Sequence, residues 1–333
     1  MVNPVSVTIK DISRITGISV STVSRALRYP EQVSEKKRKI ILSMADELGY
    51  IPNLNASNLR TNASKNIGFI INDVQNTFFN QLITVIEREL SSFGYKLIIS
   101  FGTNDQVDNE DKIKNLLSTS VNALMFSPFR NSPYVQNLLE SKNVYTLQLF
   151  TKAYQSFDSL IVDDLNGTYL ATKRLILNNH HNILITGFRD AIWQERLKGY
   201  YKAYQEFNIE VDPELIYLID SDEFLINKLT TKIMNKQPSA IIPIANKVGF
   251  AVVKALRTLG LKTNRDISVI CYDDTVWADI LDLTVVTHHI EELGRQIVKM
   301  LMEGIGRGEQ QRMVRHEIIE PFILDRRSVH SHK

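Results

Sequence analysis

One cysteine, Cys271, stands in 333 residues. The chain can close no internal disulfide, and its composition suits a reducing compartment. No stretch approaches the roughly 18 apolar residues that a membrane-spanning helix needs. The opening residues, MVNPVSVTIKDIS, show no basic start followed by an apolar run, so a secretory signal is not expected. Common catalytic signatures are missing as well: there is no HExxH, no P-loop, no G-x-S-x-G and no cysteine–histidine cluster. GIGRG at 304–308 follows a helical pattern and reads as a turn, and Ser34-x-x-Lys37 reads as a helix cap. The pairs His180–His181 and His288–His289 are neighbours on strand edges and point to opposite faces, which is poor metal geometry. These absences point to a cytoplasmic protein that is no enzyme and carries no metal or cofactor.

What is present is globular. Apolar residues make up 44% and charged residues 23%, enough to bury large cores, and the length implies more than one domain. Net charge is only +2 but uneven. Residues 1–65 hold ten Lys/Arg against five Asp/Glu; the remainder holds 29 against 32. A basic head on a mildly acidic body suggests that the head meets a polyanion.

The head reads as three short helices. Thr8 and Asp11 have the form of a capping box, and Ile9, Ile12 and Ile15 follow at helical spacing. Gly17 supplies a turn, and Ser19 can cap a second helix in which Val23, Ala26 and Leu27 face inward. Ser34 starts a third helix with an apolar stripe of Ile40, Ile41, Met44, Ala45 and Leu48, ended by Gly49 and Pro52. Two helices joined by a tight glycine turn, with a third behind them, make a helix-turn-helix unit, whose second helix enters the DNA major groove. Val20, Ser21, Thr22, Ser24 and Arg25 then lie where hydroxyls, methyls and a forked guanidinium can read base edges. Taken alone, SVSTVSR reads equally well as a solvated helix face.

The longer run decides. VTIKDISRITGISVSTVSRAL, continued by VSEKKRKIILSMADELGYIPN, resembles the N-terminal domain of the LacI/GalR family of bacterial transcription regulators over about 60 residues. The resemblance implies base reading by Val20, Ser21 and Arg25. It also implies that NLNASNLRT, 53–61, is a hinge contacting DNA through Asn53 and Ala56 and inserting Leu59 into the minor groove, as an apolar wedge kinks a base step.

From Lys65 the pattern changes to short apolar runs alternating with helical stretches: NIGFII, YKLIIS and NALMFSP, then, after Asp163–Asp164, NILITG, LIYLID, SAIIPI and ISVICYDD. Such alternation implies parallel sheets with helical crossovers. The expected fold is an all-α helix-turn-helix head plus hinge, then an α/β body of two parallel-sheet lobes like the periplasmic binding proteins. The expected boundaries are 1–52 for the head, 53–64 for the hinge and 65–333 for the body. Within the body, the N-lobe is expected at about 65–163 and 291–321, and the C-lobe at about 164–290 and 322–330.

NTFF, VDDLNGTYLATKRL, ERLKGY, YDD, LTVV and ELGRQIV are similar to the family's sugar-binding core. That resemblance implies effector contacts from Arg196, Asn246 and Asp273; since aromatic faces cover the C–H side of a sugar ring, Phe79, Trp193 and Trp277 are the candidates for that role. Lys247 stands where many relatives have Asp, Asn179 where a glycine is usual, and THHIE lacks a common proline. The function expected is a ligand-responsive repressor of carbohydrate-use genes. It would act as a nucleoid-associated homodimer on a pseudo-palindromic double-stranded operator, released by a sugar or sugar-derived effector, with no membrane partner. The alternatives are corepressor-dependent control, as in purine- or phosphoprotein-type regulators, and a solute-binding protein.

Overall fold

The computed structural model describes residues 7–50, 64–74, 76–103, 106–128, 130–142, 144–189, 191–221, 223–307 and 313–332. The chain divides into two compact units, Met1–Ser64 and Lys65–Lys333. Asn53, Ala56 and Leu59 lie outside the described residues.

The first unit holds α1 (Ile9–Thr16), α2 (Val20–Arg28) and α3 (Glu35–Glu47). The capping box closes α1: the Thr8 hydroxyl lies 2.7 Å from the Asp11 carboxylate, which also accepts from the Thr8 backbone N–H at 3.0 Å. Gly17 ends that helix at φ 69°, a left-handed conformation that costs glycine nothing. Ile12, Val23, Ala26, Ile41 and Ala45 form the core between the three helices. The apolar stripes are narrower than their spacing suggests, for Ile15 is 51% exposed and Ile40 44%. Three short helices enclose too little volume to cover every isoleucine.

The second unit alternates strands and helices: β1 (Asn66–Ile71), α4 (Thr77–Ser92), β2 (Lys96–Phe101), α5 (Gln106–Ser118), β3 (Ala123–Phe126), α6 (Pro133–Lys142), β4 (Tyr145–Leu149), β5 (Asp158–Val162) and α7 (Asp164–Ile176). It continues with β6 (Ile183–Phe188), α8 (Ala191–Glu206), β7 (Ile216–Ile219), α9 (Leu225–Lys236), β8 (Ala240–Pro243), α10 (Asn246–Thr258) and β9 (Ser268–Tyr272). The last elements are α11 (Val276–Ile280), β10 (Thr284–Thr287), α12 (Ile290–Gly306), β11 (His316–Ile319) and β12 (Phe322–Leu324). Strands such as β3 and β8 are buried at every position, as parallel strands covered on both faces must be.

Among the described residues these strands form two six-stranded sheets, ordered β11-β5-β4-β3-β1-β2 and β12-β10-β9-β8-β6-β7. The first sheet, in the N-lobe, is parallel throughout. The second, in the C-lobe, is parallel except for β12, which runs against β10. The chain passes between the sheets three times: after β5, after β10 and between β11 and β12. In each sheet the order reverses beside its first strand, β1 or β6. Loops leaving such a switch point diverge and open a crevice at the strands' carboxyl ends.

Asn179 closes the turn after α7 at φ 63°. A left-handed residue suits glycine, and asparagine is the side chain that tolerates it best, so the substitution keeps the turn. No helix among the described residues is long and apolar enough to cross a membrane.

Candidate functional site

In the first unit, Ser19 caps α2: its hydroxyl accepts from the Thr22 backbone N–H at 3.3 Å. The same oxygen lies 2.8 Å from the Thr22 hydroxyl and 3.1 Å from that of Ser21. Burial of Val23 and Ala26 fixes the rotation of α2 and leaves Val20, Ser21 and Arg25 exposed at its start, with Thr22 and Ser24 half-buried. The exposed face therefore presents one apolar, one hydroxyl and one guanidinium group within two turns. Thr22 is tied into the cap, so its hydroxyl serves the helix before any base.

The second unit encloses a cavity of about 530 Å³, within the range of small-molecule sites. Its wall comes from the carboxyl ends of both sheets. Asn72 and Asp73 follow β1, Ser127 follows β3, Phe150 follows β4, Phe188 ends β6, Ile244 and Ala245 join β8 to α10, and Asn246 and Lys247 open α10. The cavity thus occupies both switch points.

Arg196 and Asp164 form its polar floor. The Arg196 Nε donates to Asp164 Oδ1 at 2.7 Å, and Nη1 donates to the Ile244 carbonyl. The guanidinium lies 3.7 Å above the centre of the Tyr272 ring. Tyr272 in turn shares a short hydrogen bond with Thr168 on α7. Close approach of α7 and α8 makes this possible. A Cβ on Gly199 would fall 2.0 Å from the Leu165 carbonyl oxygen, so no other residue fits where the helices cross, one turn beyond Arg196.

Asp273 leaves β9 at φ 68°, a conformation that strains a residue with a side chain. Its backbone N–H is held by the Val286 carbonyl at 2.9 Å. Its carboxylate accepts from Asn76 Nδ2 of the opposite lobe at 3.4 Å. The adjacent Asp274 pairs with Arg326 at 2.7 Å, so of the two acids in YDD only Asp273 borders the cavity. Burial pushes the carboxyl groups of Asp164 and Asp273 above the ordinary value, against the pull of Arg196. Burial likewise drives His288, on the passage after β10, down to about 4, so its ring is neutral near pH 7.

The apolar part of the wall is aromatic. Phe78, Phe79 and Phe150 meet edge-to-face at centroid separations of 5.3, 5.7 and 5.6 Å. Phe188 and Ile192 face them from the C-lobe side. Such a wall offers ring faces to C–H groups while the carboxylates and amides take hydroxyls.

Of the residues singled out in the sequence, Phe79, Arg196, Asn246 and Asp273 border this cavity. Trp193 and Trp277 do not. Trp193, 4% exposed, packs in the C-lobe core among Ile185, Tyr200 and Ile244. Residues at i and i+3 on a helix need not present the same surface: here Ile192 takes the place beside Arg196, and the larger indole turns inward. Trp277 packs edge-on to Phe250, centroids 5.8 Å apart, and against Gly249, away from the cavity. Sequence reasoning missed Asn72, Phe150, Phe188, Tyr272 and His288. Each ends or directly follows a strand, and that position was the available signal.

Known proteins resemble this arrangement along its whole length. Residues 8–53 match the family described as bacterial regulatory proteins, lacI family. Residues 64–323 match the family of periplasmic binding proteins and the sugar binding domain of the LacI family. The HTH-type transcriptional regulator RegA of Clostridium saccharobutylicum is 26% identical over 326 residues, covering 94% of this chain and 97% of its own. The HTH-type transcriptional repressor PurR of Photobacterium profundum is 29% identical over 332 residues, 97% of this chain and 98% of its own. A crystal structure of the lac repressor dimer bound to operator and an anti-inducer superposes with a TM-score of 0.80 at 23% identity, covering 98% of this chain and 99% of that one. With a helix-turn-helix unit in front and two sheets closing on a cavity behind, both matched, the chain belongs to the LacI family of bacterial regulatory proteins and is a transcription regulator with that family's ligand-binding domain.

Proposed function

We propose that the protein is a repressor of carbohydrate-use genes that binds a pseudo-palindromic operator as a homodimer, in the cytoplasm, and releases it when an effector occupies the cavity. The observation that carries this reading is the cavity wall itself. It draws on both lobes, and a hydrogen bond from Asn76 to Asp273 already crosses it. A ligand that meets Asp273 and Arg196 from one side and the phenylalanines from the other binds the closed cleft better than the open one. Only such a difference in affinity shifts a conformational equilibrium. Coupling of this kind is reciprocal and typically about 1–3 kcal/mol. The α2 face supports the DNA half of the reading: Arg25 supplies a guanine-reading fork, and Val20 and Ser21 supply apolar and hydroxyl contacts.

The test selects binding sites from random duplex DNA with the full chain. Mobility shifts on the selected sequence are then repeated with sugars, sugar acids, sugar phosphates and nucleobases. Enrichment of a two-fold symmetric site, and its release by a compound that also raises the melting temperature, supports the proposal. Sequence-independent binding that no compound changes refutes it. A ligand that tightens binding assigns corepressor control instead.

A further inference from the structure

The segment that follows β12, Asp325–His332, is bound to the C-lobe by bonds to three separate parts of it. The Ser328 hydroxyl accepts from the Thr284 backbone N–H at 2.8 Å and donates to the Val269 carbonyl at 2.6 Å. The Ser328 carbonyl accepts from the Val269 N–H at 3.0 Å. Further on, the His330 N–H donates to Ser268 Oγ at 3.0 Å, and the His332 N–H donates to the Asn178 carbonyl at 2.8 Å. The segment thus straps the amino ends of β9 and β10 to the turn between α7 and β6.

His180, on that turn, is fully buried. Its ring stacks on that of His332, centroids 5.2 Å apart at 23°, and meets that of His330 edge-on at 5.4 Å and 85°. Its Nε2 lies 2.8 Å from the His330 carbonyl, which can only accept, so Nε2 carries the proton of the neutral ring. Nδ1 is buried and has no partner among the described residues. A proton added there would bring a charge, and a donor without an acceptor, into the contact with the strap. The charges that bear most on His180 are those of His330, His332 and His181, all bases. The acid beside the strap, Asp266, acts on His330. It is occupied by Arg265 at 2.8 Å and by the Lys262 backbone N–H at 3.0 Å. Where the strap begins, Asp325 pairs with Arg174 at 3.1 Å.

Burial holds His180 down to about 4 and depresses His330 as well. A strap that detaches returns both rings to water, where a histidine titrates near 6.5. The detached form therefore binds more protons, and acid favours it.

We propose that Asp325–His332 is an acid-releasable strap: on acidification it leaves the C-lobe while both sheets stay folded, and protonation of His180 drives it off.

The experiment is hydrogen exchange of the full chain, compared between about pH 7.5 and about pH 5.5 and corrected for intrinsic exchange rates. The amides of Val269, Thr284, His330 and His332 report the strap, and those of β3 and β8 report the two sheets. With His180 at about 4 when docked and near 6.5 when released, protection of the strap amides is expected to fall about tenfold or more over that range, with the sheet amides unchanged. His180→Gln keeps a donor for the His330 carbonyl and takes up no proton, so it is expected to retain most of the protection at the lower pH. Strap protection that is equal at the two pH values overturns the proposal, as do sheet amides that lose protection in step with the strap. Both of those readings come from the parent chain, so they stand even where His180→Gln fails to fold. An equal fall in a folded His180→Gln overturns the proposal too, because the proton then acts elsewhere.

Discussion

Arg196 and Asp164 meet at 2.7 Å in the floor of the cavity, with side chains only 14% and 8% exposed. Removing one partner of such a buried pair leaves the other uncompensated, at a cost of about 3–5 kcal/mol. Arg196→Ala is therefore expected to lower the urea midpoint of the body strongly. Adding Asp164→Asn should restore part of the loss, because no lone carboxylate then remains. A single variant as stable as the parent would show that water reaches the pair.

Asp273→Asn keeps the side chain's shape in a left-handed conformation that asparagine tolerates. It removes the charge that accepts from ligand hydroxyls. Effector-induced release is expected to weaken by at least about tenfold while operator affinity without effector is unchanged. Titrating operator release against effector concentration separates the two. An unshifted curve would remove Asp273 from the contact set.

The tryptophans make a contrasting pair. Trp277 packs on Phe250 outside the cavity, and Trp277→Phe should hold effector affinity within about 0.5 kcal/mol, measured by calorimetry. Trp193→Ala should instead lower thermal stability by about 3–5 kcal/mol, as aromatic truncations in a core do. Loss of effector binding in a folded Trp277→Phe would return that residue to the cavity.

In the head, Arg25→Ala is expected to weaken specific operator binding by about 1–3 kcal/mol and to relax preference at one base position. Ser19→Ala acts differently. It removes the cap of α2 and should destabilise the head by about 0.5–2 kcal/mol, seen in its own melting transition. A narrower gap between operator and random-duplex affinity for Arg25→Ala than for the parent is the expected signature; full retention of discrimination would exclude base reading by Arg25.

His180 and His288 both sit at about 4, driven down by burial. An unfolded histidine titrates near 6.5. Between those values the unfolded chain binds more protons than the folded one, so stability rises with pH there. Their contribution is full above about pH 6.5 and is lost as pH falls towards 4, at no more than about 1.4 kcal/mol per pH unit for each group. Urea midpoints measured across that range should fall on acidification. His180→Asn should flatten the slope relative to the parent, since the carboxylate contributions are common to both. An identical slope would mean that His180 protonates in the folded state.

Local chemistry was legible in the sequence. Thr8 with Asp11, Gly17 at its left-handed turn and Ser19 before α2 each act through neighbours a few residues away, so spacing alone announces them. Strand-type runs such as NIGFII and SAIIPI declared a parallel sheet because burial on both faces demands continuous apolar sequence. Resemblance of motifs then gave the family, and with it Arg196, Asn246 and Asp273 as residues to look for.

Tertiary structure decided what faces what. Trp193 and Ile192 are adjacent in the chain, and only the packing of α8 on the sheet turns the indole into the core and the smaller side chain to the cavity. Phe150, Phe188 and His288 carry no motif. They become neighbours because the carboxyl ends of strands from both sheets border one cavity, and sequence separations of 38 and 100 residues close to one wall. Pairing between distant segments depends on which long loops close and which faces bury, a property of the whole chain that no local window holds.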